Sequence, residues 1–395
     1  MRQKYKIGII DAEYGGVESR GYKLLTAQLA SNAPENFQFV VYQDNISGKN
    51  ERLQNQPNAK TIVLPLKNKG IIGRLFFNFL AIGHAMFASN AVIILGVGCG
   101  IFLPFVRFFS RLKIIVNIDS LQWNDQVKGE PSQIIWKAAE RLAVKSSHKV
   151  ICGTNQLHDY LKSEYKAEGE VISYGSDYAT SEVATPEHSA IVSKILSSGQ
   201  KFVLCRTRIT PFSRVEGILN TFSRYPRYAL VIVGNWLETP YSRGLYEQYH
   251  RYGNIHLLDY SPSEYTTLIA RASIFLYNFS FGGTYISLLE AMHSRVPVIA
   301  FESPENREIT SNKAFYFSHS ADLIYILHST RPSMLQITAD NMALIARQNH
   351  RWSTITEKYF NLITELASRR TTPVKVANTM VAREQSIYAN KSNGQ

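Results

Sequence analysis

Residues 277–308 read YNFSFGGTYISLLEAMHSRVPVIAFESPENRE. An apolar strand ends at Asn278, a turn carries Gly282 and Gly283, an apolar helix holds Glu290, and a second buried strand covers 296–301 ahead of Pro304-Glu305-Asn306-Arg307-Glu308. Strand, glycine turn, helix and strand in that order make a βαβ unit, which belongs to a parallel sheet. The turn presents backbone N–H groups at a helix N-terminus, where the macrodipole favours negative charge, and the helix puts one carboxylate about two turns further on. That layout suits the diphosphate of a nucleotide.

The same alternation extends in both directions. Strand-like runs at 6–10, 37–42, 61–64, 91–95, 113–117, 150–152 and 170–173 are separated by helical patterns or longer connections. A stretch rich in Thr, Ser, Pro and Glu interrupts the series at 178–188, and a second series follows at 202–205, 229–233, 255–258, 274–277, 296–300 and 315–317. The expectation is an α/β chain of two Rossmann-like doubly wound domains facing a cleft, because ligands of such sheets bind beyond the carboxyl ends of the strands. The boundaries read as a first domain over 1–178 and a linker over 179–200. A nucleotide-binding domain over 201–350 and a helix over 351–368 that packs back across both follow, before a polar, disordered tail over 369–395.

With 395 residues, 45% of them hydrophobic and 19% charged, the chain is long enough for two cores. A formal net charge of +12 calls for an anionic partner: nucleic acid, an anionic membrane leaflet or a phosphorylated substrate. No basic run interleaved with aromatics and no zinc-finger spacing occurs, so no nucleic-acid partner is expected. Cys99, Cys152 and Cys205 lie far apart in apolar runs and read as buried thiols of a reducing compartment. The apolar run after the basic start is too short for a signal peptide, which points to the cytoplasm. Residues 75–106 carry no charge, yet Asn78, Gly83, His84 and the glycines at 96, 98 and 100 interrupt them, as in a buried helix, a strand and a glycine loop. Phe102, Phe105, Phe108 and Phe109 beside Arg107, Arg111 and Lys113 read equally as a surface for an anionic leaflet, at the inner face of the cell membrane, and as a core-facing helix with a solvated basic edge.

Several residues carry chemistry. Gly15 and Gly16 follow the first strand and open a helix, where a ligand could approach the backbone, although a tight strand-to-helix turn needs glycine in any case. Arg206, Arg208 and Arg214 follow the first strand of the second series, and guanidinium groups there suit a diphosphate. Arg208 is the first choice, Arg214 the second, and Arg206 reads as a surface or inter-domain residue. Glu290 in an apolar helix face needs donors, which a ribose diol, neighbouring backbone or an arginine could each supply. Asp119, just past a first-domain strand, is placed to accept an acceptor hydroxyl's proton or to hold an Asx turn. There is no Asp-x-Asp pair and no metal-ligand cluster, so neither a metal nor a cofactor is expected, and leaving-group charge falls to arginine and helix N-termini.

In order, Tyr14-Gly15-Gly16-Val17-Glu18, Val116-Asn117-Ile118-Asp119-Ser120-Leu121-Gln122-Trp123, Tyr174-Gly175-Ser176-Asp177, Arg208-Ile209-Thr210-Pro211, Gly282-Gly283-Thr284 with Ser287-Leu288-Leu289-Glu290-Ala291-Met292, and Asn306-Arg307-Glu308 resemble the family 4 retaining glycosyltransferases of GT-B architecture. Closest among these are bacterial rhamnosyltransferases, which carry a Tyr-Gly-Gly-Phe-Glu start. The resemblance implies transfer of a sugar from a nucleotide-diphosphate donor, dTDP-L-rhamnose in the rhamnosyltransferases, onto a polyprenyl-diphosphate-linked or growing surface glycan. It implies donor binding by Gly15, Gly16, Arg208, Arg214, Gly283, Thr284, Tyr285 and Glu290, with Asp119, Arg208 and Glu290 in the catalytic set. Tyr285-Ile286 stands where the family has Asn-Pro, and Phe279 where it has histidine. A sugar-nucleotide epimerase of the same fold and an inactive scaffold are the alternatives.

Overall fold

Two parallel sheets organise the computed structural model, which describes residues 4–12, 19–45, 53, 56–65, 70–121, 130–177, 189–280 and 285–368. The first lobe runs β1 (Tyr5–Asp11), α1 (Ser19–Ser31), β2 (Phe37–Asp44), β3 (Ala59–Leu64), α2 (Ile71–Ala88), β4 (Ala91–Leu95), α3 (Leu103–Phe109), β5 (Lys113–Ile118), α4 (Glu130–Ser146), β6 (Lys149–Cys152), α5 (Asn155–Tyr165) and β7 (Gly169–Val171). Its strands lie in the order β3-β2-β1-β4-β5-β6-β7. The second lobe runs α6 (Ala190–Ser197), β8 (Phe202–Arg206), α7 (Val215–Arg224), β9 (Ala229–Val233), α8 (Pro240–Tyr249), β10 (Ile255–Leu258), α9 (Pro262–Arg271), β11 (Ile274–Tyr277), α10 (Ile286–His293), β12 (Val298–Phe301), α11 (Pro304–Ile309) and β13 (Phe315–Phe317). Its order is β10-β9-β8-β11-β12-β13, and α12 (Ser320–Ser329), α13 (Pro332–Asn349) and α14 (Trp352–Ser368) complete the described chain.

Every registered strand pair is parallel. Central strands such as β4 and β9 are buried along their whole length, as they must be when helices cover both faces. In each sheet the order reverses once, beside β1 and beside β8, and the crevice at such a reversal is where a doubly wound sheet receives its ligand.

Two expected elements differ. Strand β12 begins at Val298 rather than at 296, since Arg295 adopts a left-handed conformation (φ 57°) and Pro297 has no N–H to give to a ladder. Within the stretch read as linker, Ala190–Ser197 is helical: the Ser189 side chain caps it, and Val192 and Ile195 join the core of the second lobe, whose burial outweighs the polar composition around them. Residues 178–188 and the tail over 369–395 lie outside the described residues.

The lobes are joined through α14. Phe360 packs 5.0 Å from Phe37 of the first lobe, and Tyr359, Phe360 and Ile363 belong to one buried cluster that contains β1 and β8 side chains alike. At the return crossing the His350 carbonyl accepts from Ser176 N–H at 3.1 Å, and Asp177 accepts from Trp352 N–H at 2.9 Å. Gly175 sits beneath this crossing, where a Cβ would lie 2.8 Å from the Trp352 backbone nitrogen and 2.9 Å from its indole. Backbone cannot yield as a flexible side chain does. Gly175→Ala is therefore expected to destabilise the chain by about 1–3 kcal/mol through overpacking, read as a lower urea midpoint; an unchanged midpoint would contradict the crossing as described.

Candidate functional site

The carboxyl edges of the two sheets face each other. Helix α5 starts directly beyond β6, helix α11 directly beyond β12, and the two touch: Glu308 accepts from Asn155 N–H at 2.9 Å and from the Asn155 side-chain amide at 2.9 Å. A carboxylate on the first amides of a helix is favourably placed against its dipole. Beside it, with the amide nitrogen of Gln156 turned toward the carboxylate, Gln156 donates to both oxygens of Glu305 at 2.6 and 2.7 Å. Glu305 is buried, and burial, helped by Glu308, raises its pKa from 4.5 to about 7.

On the second-lobe edge, one buried amide joins two loops. Asn278, just past β11, donates to Thr207 Oγ1 at 3.0 Å and to the Ser213 carbonyl, and so ties the β11 loop to the β8 loop. Arg214 follows in a left-handed conformation (φ 58°). Its guanidinium donates to the Asn278 carbonyl at 3.3 Å and to Ser280 Oγ at 3.2 Å, and lies 3.7 Å over the Phe301 ring. Burial draws its pKa below the usual arginine value, and among the described residues no carboxylate pairs with it. Arg208 is half-buried on the same loop; its carbonyl accepts from Thr207 Oγ1 at 3.3 Å, and its guanidinium makes no hydrogen bond or ion pair among the described residues. Two cations thus stand on one rim without a carboxylate partner among the described residues, on the edge from which α10 starts.

Helix α10 begins at Ile286, with Tyr285 as its left-handed N-cap, so Glu290 stands little more than one turn into the helix rather than two. Glu290 is buried and accepts from Arg206 at 3.0 Å. Arg206 is thus neither a surface nor an inter-domain residue: its guanidinium is largely buried, 4.4 Å from the Tyr260 ring and 4.9 Å from the Tyr265 ring. Strand alternation carries this signal, since Arg206 shares a face of β8 with Phe202 and Leu204, whose side chains enter the core that also holds Leu288 and Leu289. Of the sources of donors considered for Glu290, an arginine is present.

Asp119 is built into the first lobe. Its Oδ2 accepts from the Tyr174 hydroxyl at 2.5 Å and from the Asn117 side chain at 3.2 Å, which makes it a buried carboxylate between β5 and the crossing. Gly15, Gly16, Gly283 and Thr284, together with Gln122 and Trp123, lie outside the described residues. A polar recess that the motifs did not indicate opens at the carboxyl ends of β1 and β2, lined by Asp11, Lys23, Asp44 and Arg74, with Arg74 and Asp44 paired at 3.4 Å. Among the described residues no cluster of three or more His, Cys, Asp or Glu could hold a metal ion.

Comparison with known proteins gives this geometry its context. Residues 189–322 match the model of Glycosyl transferases group 1, and residues 1–177 match a domain of unknown function, DUF1972. Sucrose-phosphate synthase from Thermosynechococcus elongatus is similar with a TM-score of 0.74 at 15% identity, over 93% of this chain and all of that one. HepE of Anabaena in complex with UDP and glucose superposes with a TM-score of 0.72 at 15% identity, over 91% of this chain and all of that one. The fold is GT-B. A putative UDP-N-acetylglucosamine 2-epimerase from Listeria monocytogenes shares it, with a TM-score of 0.62 at 16% identity over 94% of this chain and 98% of that one. No curated protein matches the chain. Within the GT-B frame, the stretch that matches the group 1 model lies in the second lobe and includes Arg206, Arg208, Arg214 and Glu290.

The contact between α5 and α11 has a testable pH dependence. Because folding raises the pKa of Glu305 from 4.5 to about 7, the neutral form is favoured in the folded chain, and its contribution is complete below about 4.5 and lost as pH rises through 7. Glu305→Gln cannot ionise. The difference between wild-type and Glu305→Gln urea midpoints should therefore shift against the wild type between pH 4.5 and 7. Parallel pH profiles for the two proteins would contradict this assignment.

Proposed function

We propose that this GT-B protein is a retaining glycosyltransferase that moves a sugar from a nucleotide-diphosphate donor to a hydroxyl of a lipid-linked or growing surface glycan. The observation that carries the reading is the pair Arg208 and Arg214 on one rim of the second lobe, both without a carboxylate partner among the described residues, next to the N-terminus of α10. A cation left unpaired in a half-buried site is matched by an anion that arrives from solution. The departing diphosphate is such an anion, and guanidinium groups stabilise the charge that develops on it as the glycosidic bond breaks.

The other residues take roles around it. Glu290, fixed by Arg206, offers its carboxylate to a ribose diol, Tyr285 caps α10, and Gly283 and Thr284 are assigned to the donor phosphates on the sequence resemblance. Gly15 and Gly16 approach the donor from the first lobe, where Asp119, held by Tyr174 and Asn117, stands as the acceptor-side carboxylate. No cofactor enters this scheme, and the charge is met by protein groups. HepE of Anabaena is described in complex with UDP and with UDP-glucose, which supports a nucleotide-sugar donor for a chain of the same fold. L-Rhamnose from dTDP-L-rhamnose is the donor we assign on the sequence resemblance.

The test uses thermal shift with UDP, dTDP and their sugars, since a ligand of the native state raises its stability by mass action. Wild type should be stabilised by at least one of them. The Arg208 side chain has no hydrogen bond or ion pair to lose among the described residues, so Arg208→Ala should melt as wild type without ligand. It should bind the nucleotide about 10- to 100-fold more weakly, the equivalent of one charge-assisted hydrogen-bonding group. No stabilisation by any nucleotide, or equal affinity in Arg208→Ala, would refute the donor site. Incubation with donor alone separates the reactions: an epimerised sugar would identify an epimerase, whereas transfer that requires a glycan acceptor supports the proposal.

A further inference from the structure

The outer face of the first lobe presents aromatic side chains to solvent. In α2 the residues Phe77, Ala81, Ile82 and Ala85 face the core, and the opposite stripe, Ile72, Phe76, Phe79 and Phe87 at helical spacing, is exposed, with Ile72 80% and Phe87 91% accessible. In α3, Leu103 and Val106 face the same core while Phe105, Phe108 and Phe109 point outward, Phe108 being 82% accessible. Both helices return from the carboxyl edge of the sheet to its amino edge and pack into one cluster, so their outer stripes run side by side. Phe79 and Phe102 touch across them at 5.7 Å, and Phe109 contacts both Phe105 (4.4 Å) and Phe108 (4.8 Å). Ile134 and Ile135, exposed on α4 next to α3, extend the patch.

Charge selects the partner. Residues 52–118 contain eight Lys or Arg and no Asp or Glu. Arg107 and Arg111 are exposed beside the rings, and the Lys113 pKa is lowered by burial and, next, by repulsion from Arg107 nearby. A second copy of the chain would bring the same cations against themselves, and a neutral apolar partner would leave them without counter-charge. An anionic lipid surface satisfies both features, with rings in the interface and cations at the head groups. No helix among the described residues is long and apolar enough to cross a membrane, and the core-facing stripe of α2 is committed to the sheet.

We infer that α2 and α3 form a docking face on which this protein rests on an anionic bilayer, with Phe105, Phe108 and Phe109 in the interface and Arg107 and Arg111 on the phosphates. The face is independent of the donor site.

Flotation of the full chain with phosphatidylcholine vesicles, with and without phosphatidylglycerol, tests this without any sugar donor, so its outcome is separate from that of the nucleotide binding. Wild type should float with the anionic vesicles at low salt, and both phosphatidylcholine alone and about 0.5 M salt should release it. Phe105→Ser with Phe108→Ser, and separately Arg107→Glu with Arg111→Glu, should weaken binding about tenfold or more at unchanged melting temperature, since all four side chains are exposed. The inference fails if wild type does not float, if either double variant floats as wild type does, or if wild type is a dimer that the phenylalanine substitutions dissociate.

Discussion

One buried amide organises the working edge of the second lobe. Asn278 spends its donors on Thr207 and on the Ser213 carbonyl, so the loops beyond β8 and β11, more than sixty residues apart in sequence, share one conformation. Both unpaired arginines stand on the loop fixed in this way, and Arg214 returns a bond to the Asn278 carbonyl itself. A cationic rim is useful only where its charges cannot collapse onto the nearest carboxylate, and this is arranged by giving Glu290 its own arginine. Arg206, clasped by two tyrosine rings, neutralises the buried acid from within the core and leaves Arg208 and Arg214 to solvent. Burying an ion pair is costly unless its members are well held, and removing one partner would leave the other stranded at a cost of about 3–5 kcal/mol. The pair therefore acts as a fixed wall of the site.

The fold was largely legible in the sequence because parallel strands buried on both faces are continuous apolar runs. Ala91–Leu95 and Ala229–Val233 are examples, with nothing polar between their ends. Where a run is cut by backbone chemistry the reading slips, as at Pro297. The helix over 190–197 was hidden by the polar residues before it, although Ile191, Val192, Ile195 and Leu196 have helical spacing. At the site, the arginine loop and Glu290 were recognisable as residue types in position, yet the pairing was not. A guanidinium at the end of β8 can reach α10 only once β8 and β11 are neighbours, and no local pattern announces that adjacency. The contact of Asn155 with Glu308 is still less local, because it joins residues 153 positions apart.

GT-B lobes are useful as a pair only if they can be held and released, and two contacts of different chemistry hold them here. The crossing at residues 173–177 and 350–352 is tightly packed: Tyr174 lies edge-on to Trp352, Gly175 leaves no space beneath it, His350 and Asp177 bond the two segments together, and α14 fills the core shared by both lobes. Such a joint is costly to open and acts as the fixed end. The contact between α5 and α11 is polar and small, made of two carboxylates against a helix N-terminus and two side-chain amides. Its Glu305 is buried at a pKa near neutrality, so its hold varies with pH. Both contacts lie just beyond the carboxyl ends of strands, the crossing past β7 and the contact of α5 with α11 past β6 and β12. The same edges carry Arg208 and Arg214, which have no carboxylate partner among the described residues.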